Sequence, residues 1–371
     1  MNSKLILTAL ALPLVAVAVA VAFATTGLFT PPPVRGSHDV LHLAERIHLP
    51  GAVGPESLVF DPSGGGPYTG VADGRILKWN GKNWLEFSVT SSQREECSEA
   101  FNPTMEHVCG RPLGLRFHRK SGDLYIADAY LGLQVVGPRG GMASPLVTHV
   151  HGNKFLFTND IDIDEEDNAI YFTDSSTVFH RREFMPSILT MDKTGKLMKY
   201  DISSKQVTIL LQGLAFANGV ALSKDRSFVL VAETTNRRIL RYWLQGPNIG
   251  KHDTFVELPG LPDNVRRNQE GEFWVALHSK TGLLTKWAIS YSWFGSTMLK
   301  LSLNFKQLHY FLVGGKPHAT AIKLSSEGKI LQVLEDLEGT TLRFISEVEE
   351  RNGKLWISSV LMPYIGIYTL Q

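Results

Sequence analysis

Six short segments of the 371-residue chain begin alike, with one variable residue, then a small or polar one, then an apolar one. They are Glu56-Ser57-Leu58, Leu113-Gly114-Leu115, Asn159-Asp160-Ile161, Asn218-Gly219-Val220, Asp263-Asn264-Val265 and Ser346-Glu347-Val348. Among the leading residues, Glu56, Asn159, Asn218 and Asp263 are oxygen donors. Two carboxylates and two amide carbonyls neutralise a hard divalent cation and leave room for water. Ca²⁺ accepts such a set, and Mg²⁺ or Mn²⁺ also fit. Zinc sites favour His or Cys, and neither occurs at these positions. A plainer reading stays open, in which the Asn and Asp residues cap turns at strand starts. Against it, a Glu and an Asp aimed into a channel without a partner are costly to bury.

The elements that must carry these residues are short strands. Each segment is followed by a β-type run, as in Leu124-Tyr125-Ile126-Ala127-Asp128, Ile170-Tyr171-Phe172-Thr173-Asp174, Phe228-Val229-Leu230-Val231-Ala232-Glu233 and Leu355-Trp356-Ile357-Ser358. Turn signals precede most runs, among them Ser121-Gly122-Asp123, Asp167-Asn168 and Asn352-Gly353. The runs recur roughly every 50 residues, a period that marks β-propeller arrays. No long helical pattern alternates with them, which argues against a parallel α/β sheet. The expected fold is all-β, a six-bladed β-propeller over residues 45–371. In a propeller the innermost strand of each blade lines a central channel, so the six leading residues converge on one axis.

The last interval is longer than the others. Its excess, about residues 280–317, is rich in aromatics such as Trp287, Trp293 and Tyr310. It reads either as an insertion packed on one propeller face, partly helical, or as a pocket lid or membrane-surface patch.

Residues 1–24 form a targeting segment. Lys4 precedes an apolar stretch from Leu5 to about Ala24, and Ala22-Phe23-Ala24 fits the small-x-small pattern of signal peptidase. A cleaved signal and a retained anchor both remain open, because about 20 apolar residues can span a bilayer. Residues 25–44, with Pro31-Pro32-Pro33, read as a linker. Either way the folded part belongs to the secretory pathway, in a lumen or outside the cell. In that oxidising setting Cys97 and Cys109 are a plausible disulfide, with two free thiols as the alternative. The 37 Lys+Arg against 36 Asp+Glu exclude a strongly basic nucleic-acid surface.

Several of these runs resemble strictosidine synthase-like proteins and the adipocyte plasma membrane-associated protein. They include Cys109-Gly110-Arg111-Pro112-Leu113-Gly114-Leu115, Tyr125-Ile126-Ala127-Asp128-Ala129-Tyr130, Tyr171-Phe172-Thr173-Asp174-Ser175-Ser176, Pro262-Asp263-Asn264-Val265-Arg266 and Ile345-Ser346-Glu347-Val348. The resemblance implies a six-bladed propeller with a Cys97–Cys109 bridge. More distantly the chain is similar to the paraoxonase and gluconolactonase group of calcium-dependent hydrolases. Their ligand pattern falls on Glu56, Asn159, Asn218 and Asp263, with Asn264 assisting. Strictosidine synthase uses a channel glutamate for its Pictet–Spengler condensation, and that position is Ser346 here. Serine has no pKa near neutrality for such acid–base work. The paraoxonase catalytic histidine falls near Leu113. His107, His118 and His318 are out of register and read as surface or structural residues.

Three functions follow. The first is a metal-dependent hydrolase, an arylesterase or lactonase, with Asp263 as general base or nucleophile. Asp160 would orient the ligands or hold a second ion. The second is a non-catalytic propeller that binds a ligand or partner around a structural ion. The third, alkaloid synthesis, is disfavoured by Ser346. The expected partner is a small ester, lactone or alkaloid-like molecule, with membrane attachment through the N-terminal segment as a further option. The plant relatives suggest vacuole or endomembrane lumen, and the animal relative a single-pass anchor.

Overall fold

The computed structural model describes residues 29–97 and 99–370, so the expected signal or anchor lies outside the described residues. Six sheets of four or five strands follow one another around a ring. Blades 3 and 4 each take four consecutive strands outward from the axis. Blade 3, for example, runs through Thr158–Asp164, Ala169–Asp174, Gly195–Asp201 and Gln206–Leu214. Blade 6 is completed by both ends of the chain. Glu45–His48 pairs antiparallel with Tyr364–Thr369 as its outermost strand and closes the ring.

Period-2 alternation explains why the middle of the second strand in blades 2 and 4 is apolar on both faces. Leu124 and Ile126 enter the core between blades 1 and 2. Tyr125 and Ala127, on the other face of the same strand, enter the core between blades 2 and 3. Val229 and Val231 face blade 3, while Leu230 and Ala232 face blade 5. These second strands are therefore buried on both faces. The turn signals hold left-handed residues where the tight turns need them, as at Asn168 (φ 48°) and Asn352 (φ 51°).

The stretch expected as a linker is partly folded. His38–Asp39 pairs with Leu334–Glu335 at the edge of blade 5, and Leu41 is fully buried. The Val34 N–H and the Ser37 hydroxyl both donate to the Glu335 carboxylate. Leu41 and the hydrogen bonds to Glu335 are what draw this segment onto the blade, and its polar composition hid them.

The insertion forms three helices, Leu283–Ser290, Ser292–Leu299 and Phe305–Leu312. The last begins at a capping box in which Asn304 and Gln307 bond each other's backbone N–H. Together with Phe184–Leu189, these helices build a cap. Its core joins Met185, Ile188, Ala288, Ile289, Leu308 and Leu312 to Leu113, Phe157, Phe216 and Leu261 at one end of the channel. Among the described residues no helix is long and apolar enough to cross a membrane.

Candidate functional site

The inner strands of blades 2 to 5 share one irregularity, at the register identified from sequence. Pro112 pairs with Asp128 and then Leu115 with Ile126. Thr158 pairs with Asp174 and then Ile161 with Phe172. Ala217 pairs with Glu233 and then Val220 with Val231. Pro262 pairs with Leu277 and then Val265 with Val275. Each inner strand thus carries one extra residue, a β-bulge, which re-aims a side chain. The bulged pairs are Leu113-Gly114, Asn159-Asp160, Asn218-Gly219 and Asp263-Asn264.

Neighbouring inner strands nearly touch at this level. A Cβ on Gly219 would lie 2.5 Å from the Asn264 Cα, and one on Gly114 would lie 2.6 Å from the Asp160 Cα. Glycine at the second bulge position of blades 2 and 4 therefore makes room for the larger Asp160 and Asn264 of blades 3 and 5.

Glu56, Leu113, Asn159, Asn218 and Asp263 all line one cavity, which holds about 540 Å³ of atom-free space, some of it open solvent. Phe157, Phe184, Ile188, Phe216 and Leu261 supply apolar walls, and Arg181 and His278 add polar groups. The sixth register residue, Ser346, is not in the wall. It is buried, and its hydroxyl donates to the Glu56 backbone carbonyl at 2.6 Å. It joins blade 6 to blade 1.

The polar floor is incompletely satisfied. Asn264 Nδ2 donates to Glu56 Oε1 at 2.8 Å, and Asn218 Nδ2 donates to Asp263 Oδ1 at 2.8 Å. Asn159 Nδ2 donates to the Ser175 hydroxyl at 2.8 Å. All three amides turn their N–H groups to protein acceptors, which frees their oxygens. Glu56 Oε2, Asn218 Oδ1 and Asn264 Oδ1 are buried with no partner. Burial, with Asp263, Glu347 and Asp160 adding negative charge, pushes the Glu56 carboxyl well above its ordinary value. Burial likewise raises Asp263 to about 7, against the lowering effect of the Asn218 hydrogen bond. Orphaned oxygens and mutually repelling carboxylates are what a bound cation would relieve. The donor chemistry therefore fits a hard divalent ion held by Glu56, Asn159, Asn218, Asp263 and Asn264. Among the described residues no three His, Cys, Asp or Glu side chains group as a metal site, so a cation held here would need amide oxygens as well.

Asp160 is occupied elsewhere. Arg266 clasps it through two hydrogen bonds, of 2.5 and 2.8 Å, and also pairs with Glu347 at 2.5 Å. Burial opposes the guanidinium charge, but Asp160 and Glu347 hold it charged. Asp160 Oδ2 also accepts the Val220 N–H. Both Asp160 oxygens are thus bonded to protein donors beneath the floor.

Reading by register missed His278, His309 and Arg181. His278 Nδ1 lies 3.9 Å from Asp263 Oδ2, and its Nε2 is 3.0 Å from His309 Nε2 on the cap. Burial, with the neighbouring His309, His318 and Arg181, keeps His278 neutral far below its ordinary value, and burial lowers His309 to about 4. A signal existed. Blades 2, 3 and 4 end their second strand in Asp128, Asp174 and Glu233, which tie down the Arg111, Phe157 and Ala215 N–H groups. Blade 5 breaks that pattern with Leu277-His278.

Arg181 is positioned from a distance. Cys97 and Cys109 are joined in a disulfide. The helical turn that ends at Cys109 carries Glu106, whose carboxylate accepts from Arg181 at 2.8 Å and from the Tyr130 hydroxyl at 3.0 Å. The remaining histidines stand apart from the cavity. His107 is exposed, and His118 bonds Ser121 at the surface. His318 is buried between the Lys280 N–H and the Lys316 carbonyl.

A closed ring of six blades, each of four or five strands, with a polar floor at one channel mouth defines the β-propeller class. Family models described as "Strictosidine synthase" and "Strictosidine synthase-like, N-terminal" match residues 159–247 and 39–79. An Arabidopsis thaliana protein, strictosidine synthase-like 10, is 62% identical over 347 residues, 93% of each chain. The chain belongs to the strictosidine synthase-like family. Among solved structures, a gluconolactonase from Xanthomonas campestris superposes with a TM-score of 0.58 at 14% identity, covering 88% of this chain and 90% of that one. A calcium-binding regucalcin from Agrobacterium tumefaciens gives 0.54 at 12% identity, covering 86% and 90%. These two likenesses concern the fold.

Proposed function

We propose that this protein is a metal-dependent hydrolase that opens an ester or lactone bond in a small, partly apolar molecule. The observation that carries the reading is the cavity floor. Two buried carboxylates, Glu56 and Asp263, lie beside amide oxygens that have no partner. Calcium is the cation such donors favour, and its ligands would be Glu56, Asn159, Asn218, Asp263 and Asn264. When bound, the ion supplies polarisation of the scissile carbonyl and a more acidic water. The calcium binding and gluconolactonase activity named for proteins of the same fold are compatible with this chemistry.

The side chains divide the remaining work. Phe157, Phe184, Phe216 and Leu261 bind the apolar part of the substrate and keep bulk water out. Asp263, with His278 at 3.9 Å, takes the proton of the attacking water. The carbonyl carbon gains the hydroxyl, the C–O bond breaks, and the proton passes to the departing alcohol oxygen. Arg181, steadied by Glu106, places a positive charge at the wall where oxyanion charge develops. A Pictet–Spengler condensation has less support, because Ser346 is turned into the blade joint and offers no acid or base to the cavity. The secretory setting expected from the N-terminal sequence is supported by the Cys97–Cys109 bridge.

The test is hydrolysis of aryl esters and lactones by the full chain before and after chelation. Chelation should abolish turnover, calcium should restore it, and Asp263→Ala should lower kcat/KM by roughly 100-fold or more. Turnover untouched by both chelation and Asp263→Ala would overturn the reading. Tight metal binding with no turnover across the panel would favour a structural ion in a non-catalytic propeller.

A further inference from the structure

The cap has a second face. Its helices turn Ala288, Ile289, Leu308 and Leu312 into the core over the channel mouth. On the outside they leave Leu283, Trp287, Tyr291, Trp293, Phe305 and Tyr310 between 46% and 69% exposed. Half of the large apolar side chains exposed among the described residues, eight of sixteen, fall within residues 283–310. The propeller does not need them, because the cap already closes its own core. Tryptophan and tyrosine dominate the set, the residues that favour the headgroup level of a bilayer.

Charge on this face is one-sided. Residues 280–317 contain five lysines and no Asp or Glu, in a chain whose net charge is only +1. Lys280 is buried against Glu335, and Lys316 pairs with Glu338. Lys286, Lys300 and Lys306 remain on the helices with no carboxylate of the insertion to neutralise them. An aromatic segment that carries lysines and no acids of its own suits an anionic lipid surface better than a protein partner.

The place where the described chain begins points the same way. The Phe29 ring lies 6.1 Å from Tyr310 and 5.8 Å from Phe311, centroid to centroid. A Cβ on Gly314 or Gly315 would collide with Phe29 or Pro31. The described chain therefore begins against the cap, and the apolar stretch Leu5–Ala24 precedes it in sequence.

We propose that the outer face of the cap is a membrane-docking surface that seats Trp287, Trp293 and Tyr310 at the headgroup level of an anionic bilayer. The channel mouth and its cavity then open close to the lipid surface. The proposal is independent of the hydrolase reading, because it needs no turnover.

The test is tryptophan quenching by brominated phosphatidylcholine in vesicles that also contain phosphatidylserine, using the full chain. Trp287 and Trp293 are two of seven tryptophans, and the readout reports on the cap whether or not residues 1–24 are retained. Bromolipid should quench the wild type, and Trp287→Phe with Trp293→Phe should remove roughly half or more of that quenching. Lys286→Glu with Lys300→Glu and Lys306→Glu should bring the quenching down to its level on phosphatidylcholine alone. Quenching that is absent, or identical in wild type and the tryptophan double variant, would overturn the proposal. A wild type that self-associates in vesicle-free buffer, with a double variant that is monomeric, would also overturn it, because a second copy would then cover the face.

Discussion

Glu56→Gln separates the metal reading from any account in which the channel floor is merely structural. In the metal-free protein the Glu56 carboxyl is buried, Oε2 has no partner, and Asp263, Glu347 and Asp160 crowd it with negative charge. Gln keeps the oxygen that accepts from Asn264 Nδ2 at 2.8 Å and removes the charge. The metal-free variant should therefore melt at or above the wild-type temperature, although it has lost a buried ionisable group. Calcium reverses the order. An ion present at 100 times its Kd stabilises the wild type by about 2.7 kcal/mol, a rise of roughly 3–8 °C for a domain of this size. Without the Glu56 carboxylate, the same calcium should shift the melting temperature by less than about 1 °C. The assay is calorimetric melting of chelator-treated protein across a calcium series. A variant that melts several degrees below the metal-free wild type, yet keeps the full calcium shift, would refute the reasoning. It would show Glu56 to be a structural carboxylate and the cation to bind elsewhere.

Other consequences can be checked separately. Gly219→Ala places a Cβ against the Asn264 Cα and the Val265 N at 2.5 and 2.6 Å; this backbone cannot yield cheaply, so stability should drop by about 1–3 kcal/mol in urea melts and calcium affinity should fall with it. Arg266→Met leaves Asp160 and Glu347 as buried carboxylates without their cation, and should cost about 3–5 kcal/mol, read as a lower urea midpoint. Burial lowers His318 to about 4, with Lys280, Glu335 and Lys316 around it. Because the folded value lies below the unfolded one near 6.5, its contribution is complete above that pH. It is lost as pH falls towards 4, up to about 3 kcal/mol. His318→Gln, which keeps an acceptor for the Lys280 N–H, should flatten that part of the urea-midpoint profile between pH 7 and 4.5. Arg181→Gln should raise KM or lower kcat for ester substrates while leaving the calcium-induced melting shift intact, since Arg181 lines the wall and is not among the proposed ligands.

The propeller was legible because its strands repeat a local pattern. Leu124 to Asp128, Ile170 to Asp174 and Phe228 to Glu233 follow turn signals at a steady period, and alternation on two buried faces leaves a plainly apolar run. The leading residues were legible for the same reason, because the bulge falls at the same place in blades 2 to 5. What escaped was long-range. Arg266 clasps Asp160 from 106 positions away, and no local pattern announces that. His278 meets His309 through the insertion, whose path over the channel depends on the cap core and not on the repeat. Ser346 kept the register but lost the orientation, since blade 6 shows no matching bulge where Glu347 pairs with Ser358. The segment before Glu45 looked like a spacer because the partner of its polar groups, Glu335, lies about 300 residues downstream.

The central claim is one cation at the channel floor beside a substrate cavity. Anomalous diffraction from crystals of the full chain grown with calcium, and with manganese in its place, tests it most directly. One strong peak should lie within coordination distance of Glu56, Asn159, Asn218 and Asp263, with an open position towards the cavity walled by Phe157, Phe184 and Phe216. A channel floor with no peak at saturating cation, or a fully closed shell of protein ligands facing away from that cavity, would contradict it.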